Sequence, residues 1–281
     1  MAPTTVASTN PARPLHWLGA CDDPRYPALA GPWAVGCGPS GRVDRAEHLA
    51  TGEQVRLQGA VTSPGLAEGL LYAPGVPSRV WRLPSGAPER VDALPGRVIA
   101  PPATDGAAVV VSLEGGLTWQ QLGINRRSAL PGTPAPWYPP AVTGEWVAWV
   151  SVEQGAEVLM AWRRGMDDTL ILDSHASHGG HPRHAAASAG WIGWIRDDAV
   201  VLWSSGQDRR RIETDAHTSR RLAMWEEVAC WESWNGGDVD AVCSDGVTIG
   251  GEGHQRGPDR WDGWLLYVED GRTMVADVGA R

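Results

Sequence analysis

Two apolar runs joined by a polar turn make up the segment Trp191-Ile-Gly-Trp-Ile-Arg-Asp-Asp-Ala-Val-Val-Leu-Trp203. A second turn at Ser205-Gly206 leads into a third short run, residues 210–212. β-Branched and aromatic residues in runs of about five, bounded by Asp and Gly, are typical of β-strands joined by tight turns. No window of the chain keeps an apolar period of about 3.6 residues, so we expect little helix.

The same arrangement recurs along the chain and indicates the fold class. The first and last recurrences start at residues 33 and 264, which gives a mean repeat of 38.5 residues over six steps. A four-stranded propeller blade takes roughly 40–50 residues. We therefore predict an all-β chain: a single β-propeller of seven four-stranded blades over residues 14–281, after a linker-like or disordered tail over residues 1–13. The runs are 33–37, 70–73, 98–100, 146–150, 191–195, 228–231 and 264–268.

Two repeats depart from the pattern. Only residues 92–97 separate the third strand of the second repeat from the run at Val98, which leaves little room for a fourth strand, so six blades are the alternative. The last repeat contains two runs and lacks an outer strand. Residues 14–18 end as far before Asp23 as the outer strands of other repeats end before the residue equivalent to Asp23. We predict that this N-terminal segment closes the ring by covering the open edge.

Two of the repeats resemble a known family. Pro140-Ala-Val-Thr-Gly-Glu-Trp-Val-Ala-Trp149 resembles the repeat of TolB-like propellers, in which a Pro, a small polar turn and a Gly precede a strand of the type xVxW. Ser188-Ala-Gly-Trp-Ile-Gly-Trp194 is a second copy without the Pro. The resemblance spans most of the chain as a pattern and is strong in two blades. It implies the fold and no activity, because that fold hosts binding scaffolds and enzymes alike.

The composition excludes some classes of function. The net charge of −9 argues against a nucleic-acid binder, which needs a basic face. No segment approaches the roughly 18 apolar residues of a membrane-spanning helix. We expect most of the 16 Trp residues to pack between blades, and the alternative for some of them is an exposed aromatic platform for sugars.

A recurrent position carries metal-ligating residue types in four cyclically consecutive repeats. In the fifth and seventh repeats it lies ten residues before Trp191 and Trp264. In the sixth repeat it lies ten residues before Glu227. The chain enters the innermost strand there, near the mouth of the channel, where residues of adjacent blades converge. Three imidazoles and one carboxylate suit zinc, manganese, iron or copper. We predict one divalent transition metal, and no other cofactor, bound by Asp23, His181, His217 and His254.

Arginines accompany this position. An Arg follows it by two residues in three of the four repeats, and further histidines lie beside it in the fifth. A guanidinium binds a carboxylate through two hydrogen bonds, so arginines beside a cation suit an anionic ligand. The predicted ligand-binding residues are Arg25, Arg183, Arg256, His178 and His184. A ligand site without metal, and equivalent residues inherited through duplication without function, are the alternatives.

These residues favour a ligand- or metal-binding propeller that acts as a binding or interaction module. We expect a monomer whose partner is a small anionic ligand or a protein. One alternative is a metal-dependent propeller enzyme, a lyase or hydrolase acting on an anionic substrate such as an acidic sugar. The other is a purely structural scaffold. No Ser-His-Asp triad, P-loop or dinucleotide fingerprint is recognisable, so no residue is assigned to catalysis.

The cysteines bear on location. Asn235-Gly236-Gly237-Asp238 predicts a two-residue hairpin turn, across which Cys230 and Cys243 face each other with Cα atoms about 4.5 Å apart. We predict a disulfide there, and the remaining Cys21 and Cys37 are the candidates for a second bridge. The N-terminal residues lack the apolar core of an intact signal peptide and resemble the linker after a removed one. We expect an extracytoplasmic protein, periplasmic, surface-anchored or secreted; a cytoplasmic protein with reduced thiols is the alternative.

Overall fold

Seven antiparallel sheets form the protein. The computed structural model describes residues 12–19, 21, 25–75, 77–92, 94, 96–124, 126–174, 182–216, 219, 221–234, 236–250 and 253–279. Within these residues the chain forms four-stranded sheets and no helix. The sheets stand in a ring around a central channel, so the fold is a seven-bladed β-propeller, as predicted. The alternative of six blades is wrong.

The first strand, β1 (Arg13–Pro14), belongs to the last blade, and the other strands follow in chain order from the inside of each blade outwards. Blade 1 contains β2 (Ala28–Ala30), β3 (Trp33–Cys37), β4 (Val43–His48) and β5 (Gln54–Val61). Blade 2 contains β6 (Gly65–Ala67), β7 (Leu70–Ala73), β8 (Ser78–Arg82) and β9 (Pro88–Val91). Blade 3 contains β10 (Ala103–Thr104), β11 (Ala108–Leu113), β12 (Gly116–Gln121) and β13 (Arg127–Leu130).

Four further blades complete the ring. Blade 4 contains β14 (Ala141–Val142), β15 (Trp146–Glu153), β16 (Ala156–Arg163) and β17 (Thr169–Ser174). Blade 5 contains β18 (Pro182–Ser188), β19 (Trp191–Arg196), β20 (Ala199–Ser204) and β21 (Arg210–Glu213). Blade 6 contains β22 (Leu222–Trp225), β23 (Val228–Trp234), β24 (Val239–Cys243) and β25 (Thr248–Ile249). Blade 7 contains β26 (Gln255–Trp261), β27 (Trp264–Glu269), β28 (Arg272–Asp277) and the N-terminal β1.

The predicted third repeat was misplaced. Val98 forms an isolated bridge with Leu113, and the second strand of blade 3 is β11. Pro101 and Pro102 explain the difference, because proline has no N–H to donate and ends the pairing directly after the predicted run. The other six predicted runs are the second strands of their blades, and a short innermost strand precedes each of them.

The N-terminal segment closes the ring, as predicted, although the paired strand is Arg13–Pro14 rather than residues 14–18. Arg13 pairs with Val275, Pro14 pairs with Met274, and the Leu15 N–H donates to the Thr273 carbonyl oxygen at 2.8 Å. Leu15 and Leu18 are buried in a cluster shared by blades 7 and 1, which also includes Leu29, Ala34, Leu266 and Val275. Closure therefore rests on packing as well as on the short ladder.

Tryptophans fill the junctions between blades, as the sequence indicated. Trp119 of blade 3 and Trp162 of blade 4 meet edge to face with ring centroids 6.0 Å apart. Trp81, Trp149, Trp194 and Trp231 are fully buried. In contrast, Trp137 and Trp234 expose 61% and 40% of their surface. The large apolar rings thus fill the space between neighbouring blades, because each blade packs against another blade on both of its faces.

Buried ion pairs also cross these junctions. Arg196 of blade 5 pairs with Asp173 of blade 4, and both side chains are 3% exposed. Arg260 of blade 7 pairs with Asp245 of blade 6 at 2.7 Å, and this pair is equally buried. Each of these guanidinium groups lies opposite a carboxylate, which offsets the cost of removing the charge from water.

Two disulfides are present, and the bridge in blade 6 is the predicted one. Cys230 and Cys243 are cross-strand partners in blade 6 with Cα atoms 4.1 Å apart. Cys21 and Cys37 form the second bridge, and their Cα atoms are 5.3 Å apart. Because thiols stay reduced in most cytosolic proteins, two disulfides favour an extracytoplasmic protein. In the described part of the chain, no helix is long and apolar enough to span a membrane.

Candidate functional site

One repeated position, within the innermost strand or just before it, surrounds the mouth of the channel. It lies seven residues before the first residue of the second strand in every blade. Six of its members line the cavities of the channel and its mouth. We call this set the mouth ring: Tyr26, Ser63, Pro101, Pro139, His184, Arg221 and Gly257 in blades 1 to 7.

A local irregularity turns the mouth ring out of the ladder in two blades. The pairing of β18 with β19 shifts between Arg183 and Ala186, and that of β26 with β27 shifts between Arg256 and Asp259. His184 lies in the first of these bulges with a φ of 49°. Positive φ is uncommon for residues other than glycine, although histidine tolerates it better than most. Blade 7 has Gly257 at the same position, with a φ of 57°.

The mouth ring borders a cavity of about 400 Å³, which we call the mouth cavity. Among the described residues that line it, the side chains able to make hydrogen bonds are Arg25, Trp137, His184 and Arg221. The remaining lining is apolar and includes Ile99, Pro101, Pro136, Pro139, Ala185 and Leu222. Adjacent cavities of about 240 Å³ in the channel and about 530 Å³ beside blades 1 to 3 share Arg25 and Pro101 with it.

Arg221 joins three blades at this mouth. Its guanidinium donates to the Arg25 carbonyl oxygen at 2.8 Å and to the carboxylate of Asp259 in blade 7. The same carboxylate accepts the Leu29 N–H of blade 1 at 2.7 Å. The Arg25 side chain in turn donates to Ser63 Oγ at 3.3 Å. These contacts hold two guanidinium groups in the wall of one cavity.

His184 is neutral at physiological pH. Burial, together with the positive charges of Arg183 and Arg25, lowers the pKa of its imidazole to about 4. The ring meets Tyr138 edge to face with centroids 5.3 Å apart. A neutral imidazole has one donor and one acceptor nitrogen, so His184 can serve a polar ligand without adding charge.

An aromatic side chain forms the outer wall of the mouth cavity. Trp137 is 61% exposed, and its Nε1–H donates to Glu157 Oε1 at 3.5 Å. Its ring centroid lies 6.5 Å from that of Tyr138. The pKa of Tyr138 is raised by burial and by the negative charge of Glu157, so its phenol stays protonated. An exposed indole thus stands beside the arginines of the mouth.

Most of the predicted metal ligands lie outside the described residues: Asp23, His181 and His217, together with the predicted ligand-binding His178. The second strand of blade 6 begins at Val228, eleven residues after His217. His181 and His254 lie ten residues before the second strands of their blades, so His217 is one residue out of alignment with them. In the part of the chain that the structure describes, no three His, Cys, Asp or Glu side chains form a metal-binding group. The metal site stays a prediction.

His254 is the one predicted metal ligand within the described residues. Its Nδ1 lies 2.9 Å from Asp238 Oδ1, and its side chain is 46% exposed. The carboxylate also accepts the Val239 N–H at 2.8 Å and the Gly253 N–H at 3.2 Å, which fixes its position. The carboxylate therefore orients the imidazole and leaves Nε2 to another partner.

The structure separates the predicted arginines. Arg25 and His184, both predicted to bind a ligand, line the mouth cavity together. Arg183 instead donates to the Asp197 and Ala216 carbonyl oxygens at 3.1 and 3.3 Å, which ties blade 5 to the start of blade 6. Arg256 lies in β26 opposite Val268 and lines none of the three cavities described above.

Sequence reasoning missed two residues of the mouth cavity, Arg221 and Trp137. A count of seven residues back from the first residue of each second strand, in place of the count of ten that gave the predicted metal ligands, identifies Arg221 from the sequence. Trp137 precedes the innermost strand of blade 4 within Pro136-Trp-Tyr-Pro139, where the flanking prolines are unsuited to a ladder. That setting separates it from the tryptophans that lie within strands.

The fold is similar to solved propellers. The acylaminoacyl peptidase of Pyrococcus horikoshii is 9% identical with a TM-score of 0.63, over 94% of this chain and 52% of that chain. PorZ, a bacterial surface component of the type-IX secretion system of Porphyromonas gingivalis, is 11% identical with a TM-score of 0.52, over 86% of this chain and 44% of that chain. This chain thus spans about half the length of both proteins.

The similarity extends to the fold alone. At these sequence identities, two propellers share their architecture without sharing a site. No family model matches the sequence. No curated protein matches it either. The TolB-like family is therefore not confirmed, while the propeller architecture that the resemblance implied is.

Proposed function

We propose that this protein is an extracytoplasmic binding module whose channel mouth takes a small anionic ligand. The observation that carries the proposal is the mouth cavity, whose wall combines Arg25, Arg221 and the neutral His184. The two disulfides support the extracytoplasmic part of the proposal.

Electrostatics support an anionic ligand. The protein has a net charge of −9, yet two guanidinium groups stand in the wall of a single cavity at the mouth. Asp259, which lies in the channel, pairs with Arg221 and compensates one of these charges. A carboxylate in such a concave site interacts with guanidinium in an environment of lower dielectric constant than water.

Titration calorimetry with citrate tests this proposal. Arg25→Gln removes one charge and keeps the backbone carbonyl oxygen that Arg221 contacts. We expect citrate to bind the wild type and to bind this variant about tenfold more weakly, since hydrogen bonds to charged groups contribute about 1.5–3 kcal/mol. Arg163→Gln is the matched control, because this arginine forms an exposed pair with Glu145 in blade 4. Absent binding to the wild type, or equal affinity of Arg25→Gln, would contradict the proposal.

A divalent transition metal is a second candidate ligand, supported by the contact between His254 and Asp238. Metal-binding histidines usually donate their other ring N–H to a carboxylate. We propose that Asp23, His181, His217 and His254 share one metal, with Asp238 orienting the last of them. The metal-dependent enzyme and the scaffold stay alternatives that no observation on this chain favours.

Metal content after incubation with zinc and exhaustive dialysis tests the second candidate. We expect one zinc ion per chain, and a 10- to 100-fold lower affinity in Asp238→Asn, about the effect of removing such an orienting carboxylate. Asp240→Asn is the matched control, since Asp240 lies in the same strand pair, opposite Ser233. Unchanged zinc content in His254→Ala would exclude the shared site.

A further inference from the structure

We infer that the ligand of the mouth cavity is an aromatic monocarboxylate, with its carboxylate at Arg25 and Arg221 and its ring against Trp137. This inference rests on the proposed function and names the class of anion. It follows from three features of the cavity: the distribution of its polar groups, the exposure of its indole and its volume.

The polar groups of the cavity are few. Arg25, His184 and Arg221 stand among prolines and aliphatic side chains, and the indole N–H of Trp137 already donates to Glu157. A polyhydroxylated acid such as a sugar acid would bury hydroxyl groups against this wall without partners, and each unsatisfied group costs binding free energy. A ligand with one charged end and an apolar body has no such groups.

Trp137 provides the apolar contact. With 61% of its surface exposed, it stands apart from the fully buried tryptophans of the blade junctions. Its contacts with Tyr138 and Glu157, and the proline that precedes it, hold the indole in place before a ligand binds. Aromatic pairs contribute about 0.5–1.5 kcal/mol beyond the area that they bury, so a ligand ring on this surface binds better than an aliphatic chain.

The volume suits a ligand of one ring. At about 400 Å³ the mouth cavity lies near the lower end of the sizes of small-molecule sites, roughly 300–1,000 Å³. A single-ring acid fits within such a space, which the arginines and the indole both line. Fragments of this size bind with millimolar to micromolar dissociation constants, which calorimetry and ligand-observed NMR measure.

Phenylacetate, its neutral analogue phenylacetamide and galacturonate are the probes. We expect phenylacetate to bind wild-type protein about tenfold or more tightly than phenylacetamide, because the carboxylate makes charge-assisted hydrogen bonds. Galacturonate should bind more weakly than phenylacetate. Saturation-transfer NMR should show the strongest transfer to the ring protons of phenylacetate.

Two substitutions assign the contacts. Trp137→Ala should weaken phenylacetate about tenfold and weaken citrate by less, because citrate has no ring to lose contact with the indole. Arg25→Gln should reduce the preference for phenylacetate over phenylacetamide. Trp234→Ala is the matched control, since it removes an exposed tryptophan from blade 6 that lines none of the three cavities. Thermal melting of each variant verifies the fold.

The outcomes distinguish this inference from the proposal beneath it. Citrate binding without phenylacetate binding, or galacturonate binding as tight as that of phenylacetate, overturns the aromatic ligand and leaves the anion site intact. An unchanged phenylacetate affinity in folded Trp137→Ala also overturns it. If neither citrate nor phenylacetate binds, both the inference and the proposed function fail.

Discussion

Replacing Asp173 by alanine removes the carboxylate partner of a buried arginine at the junction of blades 4 and 5. Asp173 and Arg196 expose 3% of their side chains each, and Asp173 Oδ2 also accepts the Trp194 Nε1–H at 2.7 Å. The substitution leaves a guanidinium and an indole N–H in the core without that acceptor. Breaking a buried pair in this way costs about 3–5 kcal/mol. That cost is a large share of the roughly 5–15 kcal/mol by which native proteins are stable.

Urea unfolding of the oxidised protein, followed by tryptophan fluorescence, measures the effect. The matched control is Glu145→Ala in blade 4, whose carboxylate lies 3.3 Å from Arg163 in a pair that is 59% and 47% exposed. An exposed pair contributes about 0–1 kcal/mol. We therefore expect the Asp173 variant to lose at least about 2 kcal/mol more than the control. Equal losses in the two variants would refute the argument that burial makes this pair important.

Three further outcomes follow from the structure. His184→Gly should be about 1 kcal/mol more stable than His184→Ala in urea unfolding, because glycine adopts the positive φ of this position freely; equal stability would contradict this. The pKa of His184 is lowered to about 4 in the folded protein, so below about pH 6.5 the unfolded chain binds a proton that the folded chain does not. The free energy of unfolding of the wild type should therefore fall by about 2 kcal/mol from pH 7 to pH 5 relative to that of His184→Gly. Parallel pH profiles of the two proteins would argue against a buried neutral imidazole. Deleting residues 1–20 should lower the free energy of unfolding by more than about 3 kcal/mol, because the buried side chains of Leu15 and Leu18 are lost. Deleting residues 1–10 should leave the melting temperature unchanged. Equal melting temperatures of the two truncated proteins would exclude closure by the N-terminal strand.

Local sequence patterns were sufficient for much of the fold. The second strand of each blade is a run of buried β-branched, aliphatic or aromatic residues, and six of the seven were identified from that pattern alone. The Cys230–Cys243 pair was predicted because a two-residue turn determines the register of the strands that flank it. Blade 3 was misplaced at Val98, although the stronger run Val109-Val-Val111 follows and Ala108 lies 38 residues after Leu70, close to the mean repeat.

The innermost strands and the mouth cavity depended on tertiary structure. β10 and β14 contain two residues each, too few for a periodic pattern to be recognised. The bulges in β18 and β26 displace His184 and Gly257 from the regular ladder, and no periodic pattern in the sequence reveals such a shift. Arg221 reaches the mouth through contacts with Arg25 of blade 1 and Asp259 of blade 7. A repeat pattern shows which residues are equivalent within a blade, whereas the approach of residues from different blades is set by how the whole ring closes.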